Sequence, residues 1–285
     1  MKKPRSFKQE LTACFGQPVA ENPTQVMMEA AFRHHGLDWR YLTIEVAPEG
    51  LGDAVRGAKV MGFAGFNCTI PHKVAVIDHL DGLGESAALM RAVNCVVRRD
   101  GKFIGENTDG KGFLKALREV TDPRDQAVVM FGAGGAARAI GVELALAGVR
   151  RITIVNRSPR RGEELVELLR SATNISCDLV VGPEDYSVPA DANIVINATS
   201  VGLFPDVDAR LPMNPATLRP HMIVADVIPN PPETPFLREA KARGCRVIDG
   251  LEMLVNQGVI GIEYWTGIRA DATVMRNALE EVFGV

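Results

Sequence analysis

Two short segments, Asn67-Cys68-Thr69-Ile70-Pro71-His72-Lys73 and Asn107-Thr108-Asp109-Gly110, each gather polar side chains just after an apolar run. Strand ends and the loops that follow them are where α/β sheets place ligands. A lysine and an aspartate brought together there could handle the proton that joins or leaves a substrate oxygen as a hydride moves, because reversible carbonyl chemistry needs an acid/base beside that oxygen. Lys73 and Asp109 are the candidates for this pair. By residue type alone a plainer reading stays open, since lysines mostly sit solvated at surfaces and Asn-x-x-Gly loops mostly form turns.

A second constellation is built for phosphate. Val128-Val129-Met130-Phe131 runs into Gly132-Ala133-Gly134-Gly135-Ala136 and then into a helical pattern. Small residues at that point allow a tight turn and close backbone approach, while N–H groups at a helix start face a pyrophosphate. Gly132, Ala133, Gly134, Gly135 and Ala136 are therefore candidate nucleotide contacts. At the end of the next strand, a site selecting NAD carries an acid for the ribose hydroxyls. Here the chain reads Asn156-Arg157-Ser158-Pro159-Arg160-Arg161. Guanidinium groups suit a 2′-phosphate by charge and fork geometry, so NADP(H) is the expected cofactor, held by Asn156, Arg157, Ser158 and Arg161. A solvated basic turn is the alternative.

The elements that must carry these segments alternate along the chain. Apolar runs at Leu11 to Phe15, Tyr41 to Val46 and Met61 to Thr69 are separated by helical patterns at Thr24 to His35 and after Pro48. That is the βαβ rhythm of a mainly parallel sheet. Runs at Ala92 to Arg98 and Lys102 to Gly105 flank an Asp-Gly turn and predict a hairpin, followed by a helix from Asp109 to Val120. The polar Thr121 to Asp125 stretch, with Pro123, reads as a linker. Beyond it, strands at Ala127 to Phe131, Arg151 to Asn156, Leu179 to Val181, Ile194 to Asn197, Met222 to Val227 and Arg246 to Ile248 interleave with helices at Ala136 to Ala147, Arg161 to Arg170 and Pro235 to Arg243. This pattern predicts a doubly wound, Rossmann-type domain. Two helices, Leu251 to Trp265 and Ala270 to Phe283, close the chain. The fold class is α/β, with domains at 1–120 and 121–248 and helices at 249–285 returning to the first.

Composition narrows the partners. The 285 residues suit two domains, and 46% hydrophobic with 24% charged residues is ordinary for a globular chain. A formal charge of −3 gives no field for nucleic acid or an anionic membrane. Five scattered cysteines without a C-x-x-C pair argue against a disulfide framework or a zinc site and predict a reducing cytoplasm. No metal is expected, and the adjacent His34 and His35 read as surface residues. The basic start lacks the apolar segment of a signal peptide, and the Ala127 to Val149 stretch is interrupted by Arg138 and Glu143 and does not read as a membrane span.

From about Phe15 to Trp265 the chain resembles the shikimate dehydrogenases. The matching blocks, in order, are Asn67 to Lys73, Ala92-Val93-Asn94-Cys95, Asn107 to Gly110, Gly132 to Ala136, Asn156 to Ser158, Asn197-Ala198-Thr199, and Asp249 to Gln257 followed by Trp265-Thr266-Gly267. The resemblance implies that Lys73 and Asp109 flank the alcohol being oxidised, that Asn67, Thr69, Asn94 and Gln257 hold ring hydroxyls, and that Thr199 joins the cofactor site. It implies reversible reduction of 3-dehydroshikimate to shikimate by NADPH, across a cleft whose closure excludes water, in a monomer or homodimer. Asn94 pairing only with strand backbone, and Gln257 as a polar helix residue, remain the structural alternatives.

Two departures from the family pattern bear on the substrate. Where the family's first turn carries two hydroxyls for the substrate carboxylate, this chain has Glu21-Asn22-Pro23-Thr24-Gln25, leaving Asn22 and Thr24 for that role. A family tyrosine is replaced at Pro229 in Asp226-Val227-Ile228-Pro229. Glu21 would repel an anion if it faced inward. These changes keep open a paralogue acting on quinate or another hydroxylated or amino ring acid; a ligand-binding regulator without turnover is a further alternative that nothing in the sequence favours, since Lys73, Asp109 and the glycine turn are all present.

Overall fold

The computed structural model describes residues 7–173 and 175–284. Its contacts divide the chain into two units, Met1–Thr108 with Gly258–Val285, and Asp109–Gln257.

The first unit runs β1 (Glu10–Gly16), α1 (Thr24–His34), β2 (Trp39–Glu45), α2 (Leu51–Met61), β3 (Gly65–Cys68), α3 (His72–Ala75), β4 (Gly82–Leu83), α4 (Glu85–Met90), β5 (Cys95–Arg99) and β6 (Lys102–Glu106). Its sheet has the order β2-β1-β3-β5-β6-β4. β1 is parallel to β2 and β3, whereas β5 is antiparallel to β3 and β6. The hairpin expected at Asp100-Gly101 is present, with φ of 50° and 76° at the two turn residues. Positive φ at both positions gives the turn the twist that a two-residue hairpin needs. Phe15 stacks on Phe66 at 4.6 Å and Phe66 meets Phe103 edge-on at 5.3 Å, forming the centre of the core beneath β1 and β3.

Two expected strands are shorter than their apolar runs. α2 keeps Met61, and β3 begins only at Gly65. The run from Ala92 enters the sheet at Cys95, because the Val93 N–H bonds the Lys73 carbonyl at 2.7 Å and ties the preceding residues to α3 instead. The short α3, β4 and α4 carry too few residues to show a period in the sequence.

The second unit holds α5 (Asp109–Val120), β7 (Ala127–Phe131), α6 (Gly135–Leu146), β8 (Arg151–Asn156), α7 (Pro159–Thr173), β9 (Ser176–Val181), β10 (Ile194–Asn197), β11 (Ile223–Asp226), α8 (Pro235–Ala242), β12 (Arg246–Ile248) and the start of α9 (Gly250–Thr266). The chain ends in α10 (Ala272–Phe283), which belongs to the first unit. Every strand pair of the second sheet is parallel, in the order β12-β11-β10-β7-β8-β9. Counted from β7, this is the strand order of a dinucleotide-binding sheet, with its topological switch between β7 and β10. β7, β10 and β11 are buried along their whole length, which is why they read as unbroken apolar runs. β9 starts at Ser176, before the expected Leu179, because Ser176 and Asp178 face out from an edge strand while Cys177 is buried.

The unit boundaries fall at Thr108/Asp109 and Gln257/Gly258, where the sequence reading places 120/121 and 248/249. Gly110 and Gly112 explain why α5 groups with the second unit. A Cβ on Gly110 would overlap the Ala139 carbonyl of α6, and one on Gly112 would lie 2.7 Å from the Gln257 nitrogen of α9. Side chains at these positions would force the helices apart. Among the described residues no helix is long and apolar enough to cross a membrane.

Candidate active site

In the first unit, the parallel pairing of β1 and β3 brings their carboxyl ends together, with Phe15 opposite Cys68. The following loops are then stitched by Thr69 N–H to the Phe15 carbonyl and Gln17 N–H to the Ile70 carbonyl, both at 2.9 Å. The turn after β1 is set by Asn22, whose Oδ1 accepts the Thr24 N–H at 2.9 Å and whose Nδ2 donates to the Cys14 sulfur at 3.8 Å. Thr24 is buried and Asn22 half-buried, whereas Glu21 and Gln25 are exposed.

Asn67, near the end of β3, donates from Nδ2 to the Asn94 carbonyl at 2.9 Å and accepts the Tyr41 hydroxyl proton on Oδ1 at 2.7 Å. Asn94 does more than pair with strand backbone. Its Oδ1 accepts the Thr108 N–H at 2.6 Å and its Nδ2 donates to the Thr108 hydroxyl at 3.0 Å. Lys73 stands on α3, one turn of helix pinned by the buried His72 ring, whose Nε2 lies 2.7 Å from the Val46 carbonyl. The Lys73 ammonium is close enough to Cys14 and Cys68 to draw their thiols toward ionisation, but burial dominates and pushes Cys14 up to about 11 and Cys68 well above the ordinary thiol value. Both sulfurs keep their protons at neutral pH and are not nucleophiles. The first unit thus gathers Asn22, Thr24, Asn67, Thr69, Asn94 and Lys73.

The second unit holds the phosphate cradle. Gly132 ends β7 with φ of +109°, and a Cβ there would lie 2.7 Å from the Ala198 carbonyl oxygen, across the switch point between β7 and β10. Gly134 precedes α6 in extended conformation, and no side chain caps the helix. A Cβ on Gly134 or Gly135 would meet nothing within 4 Å, so an open face lies over the N–H groups of the first turn. That surface fits a pyrophosphate, with Ala133 and Ala136 completing the turn. After β8, Asn156 Nδ2 donates to the Ser158 carbonyl at 2.8 Å and shapes the next turn. Arg157 and Arg161 are exposed there, while Arg160 is paired with Glu164 at 2.9 Å.

Thr199 is committed to its own loop: its N–H and hydroxyl both donate to Asn197 Oδ1, at 3.0 and 2.6 Å, and its oxygen accepts the Val201 N–H. Asn197 donates in turn to both Asp226 oxygens at 3.1 Å, joined there by the Thr234 hydroxyl at 2.7 Å and the Ile228 N–H at 3.1 Å. Burial pushes the Asp226 carboxyl from 3.8 up to about 6, against the pull of these donors. A raised carboxyl binds its proton more tightly folded than unfolded, so its stabilising contribution is greatest at acid pH and is lost as pH rises through about 6. Denaturant unfolding at several pH values is expected to show wild type losing stability relative to Asp226→Asn between pH 4 and pH 7, by on the order of 3 kcal/mol.

Asp109 opens α5 half-buried, and Gln257 is buried on α9, where Gly112 brings the two helices together. Tyr41, Cys14 and Thr108 bond the amides of Asn67, Asn22 and Asn94, a role the sequence does not reveal, although Thr108 lies in its polar Asn107 to Gly110 segment. A buried tyrosine and cysteine on adjacent strands look like ordinary core residues, and their polar contacts arise only when β1, β2 and β3 align.

The comparisons with known proteins agree along the chain. A family model described as shikimate dehydrogenase substrate binding domain matches residues 14–96, one described as shikimate / quinate 5-dehydrogenase matches 115–205, and one described as shikimate 5'-dehydrogenase C-terminal domain matches 250–280. A curated shikimate dehydrogenase (NADP(+)) from Desulforamulus reducens is 40% identical over 279 residues, 96% of each chain. Among solved structures, 5-ketofructose reductase of Gluconobacter sp. strain CHM43 is 53% identical, with TM-score 0.95 and coverage of 98% of this chain and 100% of its own. A shikimate dehydrogenase in complex with NADP+ is 36% identical, with TM-score 0.88 and 96% of each chain covered. With a dinucleotide-type sheet, an open cradle and these matches over nearly its whole length, the chain belongs to the shikimate dehydrogenase family, NADP-dependent oxidoreductases that act on a secondary alcohol.

Proposed function

We propose that this protein reversibly reduces the ketone of a polyhydroxylated substrate to a secondary alcohol with NADPH, and that 3-dehydroshikimate and shikimate are the pair, as for the curated relatives. The observation that carries the reading is the first unit's grouping of Lys73 with Asn67 and Asn94, two amides each held by further hydrogen bonds. When bound, NADP(H) supplies or takes the hydride. Lys73 gives a proton to the carbonyl oxygen as that atom gains electron density, and takes it back in the oxidative direction. Asp109 is the carboxylate partner of that transfer. Asn67, Thr69, Asn94 and Gln257 select the ring hydroxyls, because a site built to bond each one rejects an analogue lacking it. Asn22 and Thr24 hold the remaining polar end of the substrate. We place the enzyme in the cytoplasm as a monomer or homodimer; all five cysteines are free and buried, as suits a reducing compartment.

A second reading is favoured by the 53% identity to 5-ketofructose reductase. The Asn22-Pro23-Thr24 turn offers an amide and a hydroxyl, neutral groups that suit an uncharged hydroxyl as well as a carboxylate. On this reading the substrate is an uncharged polyhydroxy ketone. NADPH oxidation by the purified protein, with 3-dehydroshikimate and 5-ketofructose in parallel, separates the two. Robust turnover of the acid supports the first reading, and turnover of 5-ketofructose alone supports the second. NADPH binding without consumption of either ketone overturns both and returns the protein to a ligand-binding role.

The cofactor assignment has its own check. Replacing Arg157 and Arg161 together by serine removes two exposed guanidinium groups after β8, and is expected to raise the Kd for NADPH about 10- to 100-fold while leaving that for NADH nearly unchanged. Equal loss for both cofactors would place the 2′-phosphate elsewhere.

A further inference from the structure

We propose that Asp226 is a positioning residue of the cofactor site: its carboxylate fixes which way the Asn197 amide faces, and that amide holds the loop from Ala198 to Gly202 in the shape that receives NADP(H). This rests on the reading that Thr199 and its loop belong to the cofactor site. The loop follows β10, on one side of the switch point where dinucleotide sheets bind their ligand. Its Ala198 carbonyl lies against Gly132 of the glycine turn, and the Ala198 N–H donates to the Phe131 carbonyl at 2.8 Å. Beyond them Thr199 is half-buried and Ser200 exposed, so the loop presents a face to a ligand.

The direction of each hydrogen bond follows from the carboxylate. An ionised carboxylate only accepts, so the Asn197 atom 3.1 Å from both of its oxygens is Nδ2. Oδ1 therefore faces the other way, where it accepts the Thr199 N–H at 3.0 Å and the Thr199 hydroxyl at 2.6 Å. Nδ2 also donates to the Val201 carbonyl at 3.2 Å, and the Val201 N–H returns to the Thr199 oxygen at 3.0 Å. One amide thus closes the loop at two points. Turned over, it would set a donor against the Thr199 N–H and an acceptor against both the Val201 carbonyl and Asp226. The carboxylate is itself held by the Thr234 hydroxyl and the Ile228 N–H, at 2.7 and 3.1 Å.

Burial makes the arrangement exacting. Asn197 and Thr234 are 0% and Asp226 1% exposed, so no solvent water takes over a lost bond. The strands that carry Asn197 and Asp226 are paired through their backbones, from Ile194 opposite Ile223 to Asn197 opposite Asp226, and the Val227 N–H bonds the Asn197 carbonyl at 3.1 Å. Replacing the Asp226 carboxylate by an amide therefore leaves the sheet in place. Because both carboxylate oxygens lie 3.1 Å from Asn197 Nδ2, the new amide nitrogen meets that donor in either orientation. The conflict is relieved when Asn197 turns over, and the Thr199 N–H then loses its acceptor.

The test uses the full chain at pH 8, above the value of about 6 to which burial raises the Asp226 carboxyl, so that this group is ionised. NADPH affinity is titrated by fluorescence, with no ketone present, in wild type, Asp226→Asn, Asn197→Ala and the double variant. Each single change is expected to raise Kd about tenfold. The double variant should bind no more weakly than the weaker single one, because Asp226 acts through Asn197. A second measurement needs no cofactor: in ¹⁵N–¹H spectra of protein labelled at threonine, the Thr199 backbone amide, identified by its loss in Thr199→Ser, should move in Asp226→Asn. Thermal melting shows which variants fold; if Asn197→Ala does not, the affinity and the Thr199 amide of Asp226→Asn decide. A wild-type Kd in Asp226→Asn, losses that add in the double variant, or a Thr199 amide indifferent to Asp226→Asn overturns the proposal. Neither measurement involves a ketone, so failure of the proposed reduction shows separately, in the turnover assay, and leaves this test standing.

Discussion

Lys73→Ala is expected to lower kcat about 100- to 10,000-fold, the usual worth of a positioned general acid, while NADPH affinity stays unchanged. The helix carrying Lys73 is anchored through other groups. α3 is held by the His72 ring on the Val46 carbonyl and by the Val93 N–H on the Lys73 carbonyl, and neither contact uses the lysine side chain. Alanine is also a good helix former. The variant should therefore fold, bind cofactor and fail at chemistry. Lys73→Arg is not expected to rescue it, since a guanidinium keeps its proton throughout the accessible pH range. Steady-state kinetics paired with a titration of NADPH fluorescence distinguishes this outcome from a folding defect. Near-normal turnover in Lys73→Ala would remove the residue from the mechanism.

Gly132→Ala is expected to cause the largest loss of stability together with a loss of cofactor binding. The backbone at this position sits at φ of +109°, where a residue with a Cβ is strained by about 1–3 kcal/mol. The added methyl would also lie 2.7 Å from the Ala198 carbonyl oxygen, and that atom belongs to backbone that cannot swing aside. Relief requires β7 and β10 to separate at their carboxyl ends, where the cradle forms. Both the unfolding midpoint and the NADPH affinity should fall, the latter tenfold for each 1.4 kcal/mol of distortion carried into the bound state. Gly134→Ala is the control for stability, because its Cβ meets open space at ordinary φ. Equal destabilisation by the two substitutions would refute the steric account.

The centre of the second sheet was legible because β7, β10 and β11 are buried on both faces. Ala127 to Phe131 and Ile194 to Asn197 match β7 and β10 residue for residue, each an apolar run without alternation. The glycine turn and the arginines after β8 lie within a few residues of a strand end, so local pattern is enough to place them. The first unit was harder. Its short α3 and α4 carry no readable period, and the strand after Ala92 starts late because Val93 is tied to α3. At the site, the family resemblance pointed to Asn67 and Asn94 as binders but was silent on what orients them. Tyr41 lies 26 residues from Asn67, and Thr108 lies 14 from Asn94, so those contacts come from sheet register, which no local window contains. Exposure of Glu21 likewise depends on how the turn between β1 and α1 is wound, with Asn22 drawn onto Thr24 and Cys14.

The split of the chain into Met1–Thr108 with Gly258–Val285 and the uninterrupted Asp109–Gln257 bears on how the protein is made. Synthesis proceeds from the amino end at a handful of residues per second, and domains fold as units as they emerge. The uninterrupted unit has all of its strands once β12 has left the ribosome. The other has its sheet earliest of all, yet it lacks the Trp265 indole that bonds the Val96 carbonyl at 2.9 Å until the whole of the uninterrupted unit has been made. The half with the earlier start is thus finished second, and its Asn67 and Asn94 amides wait on a sheet that has yet to receive α10 and the end of α9.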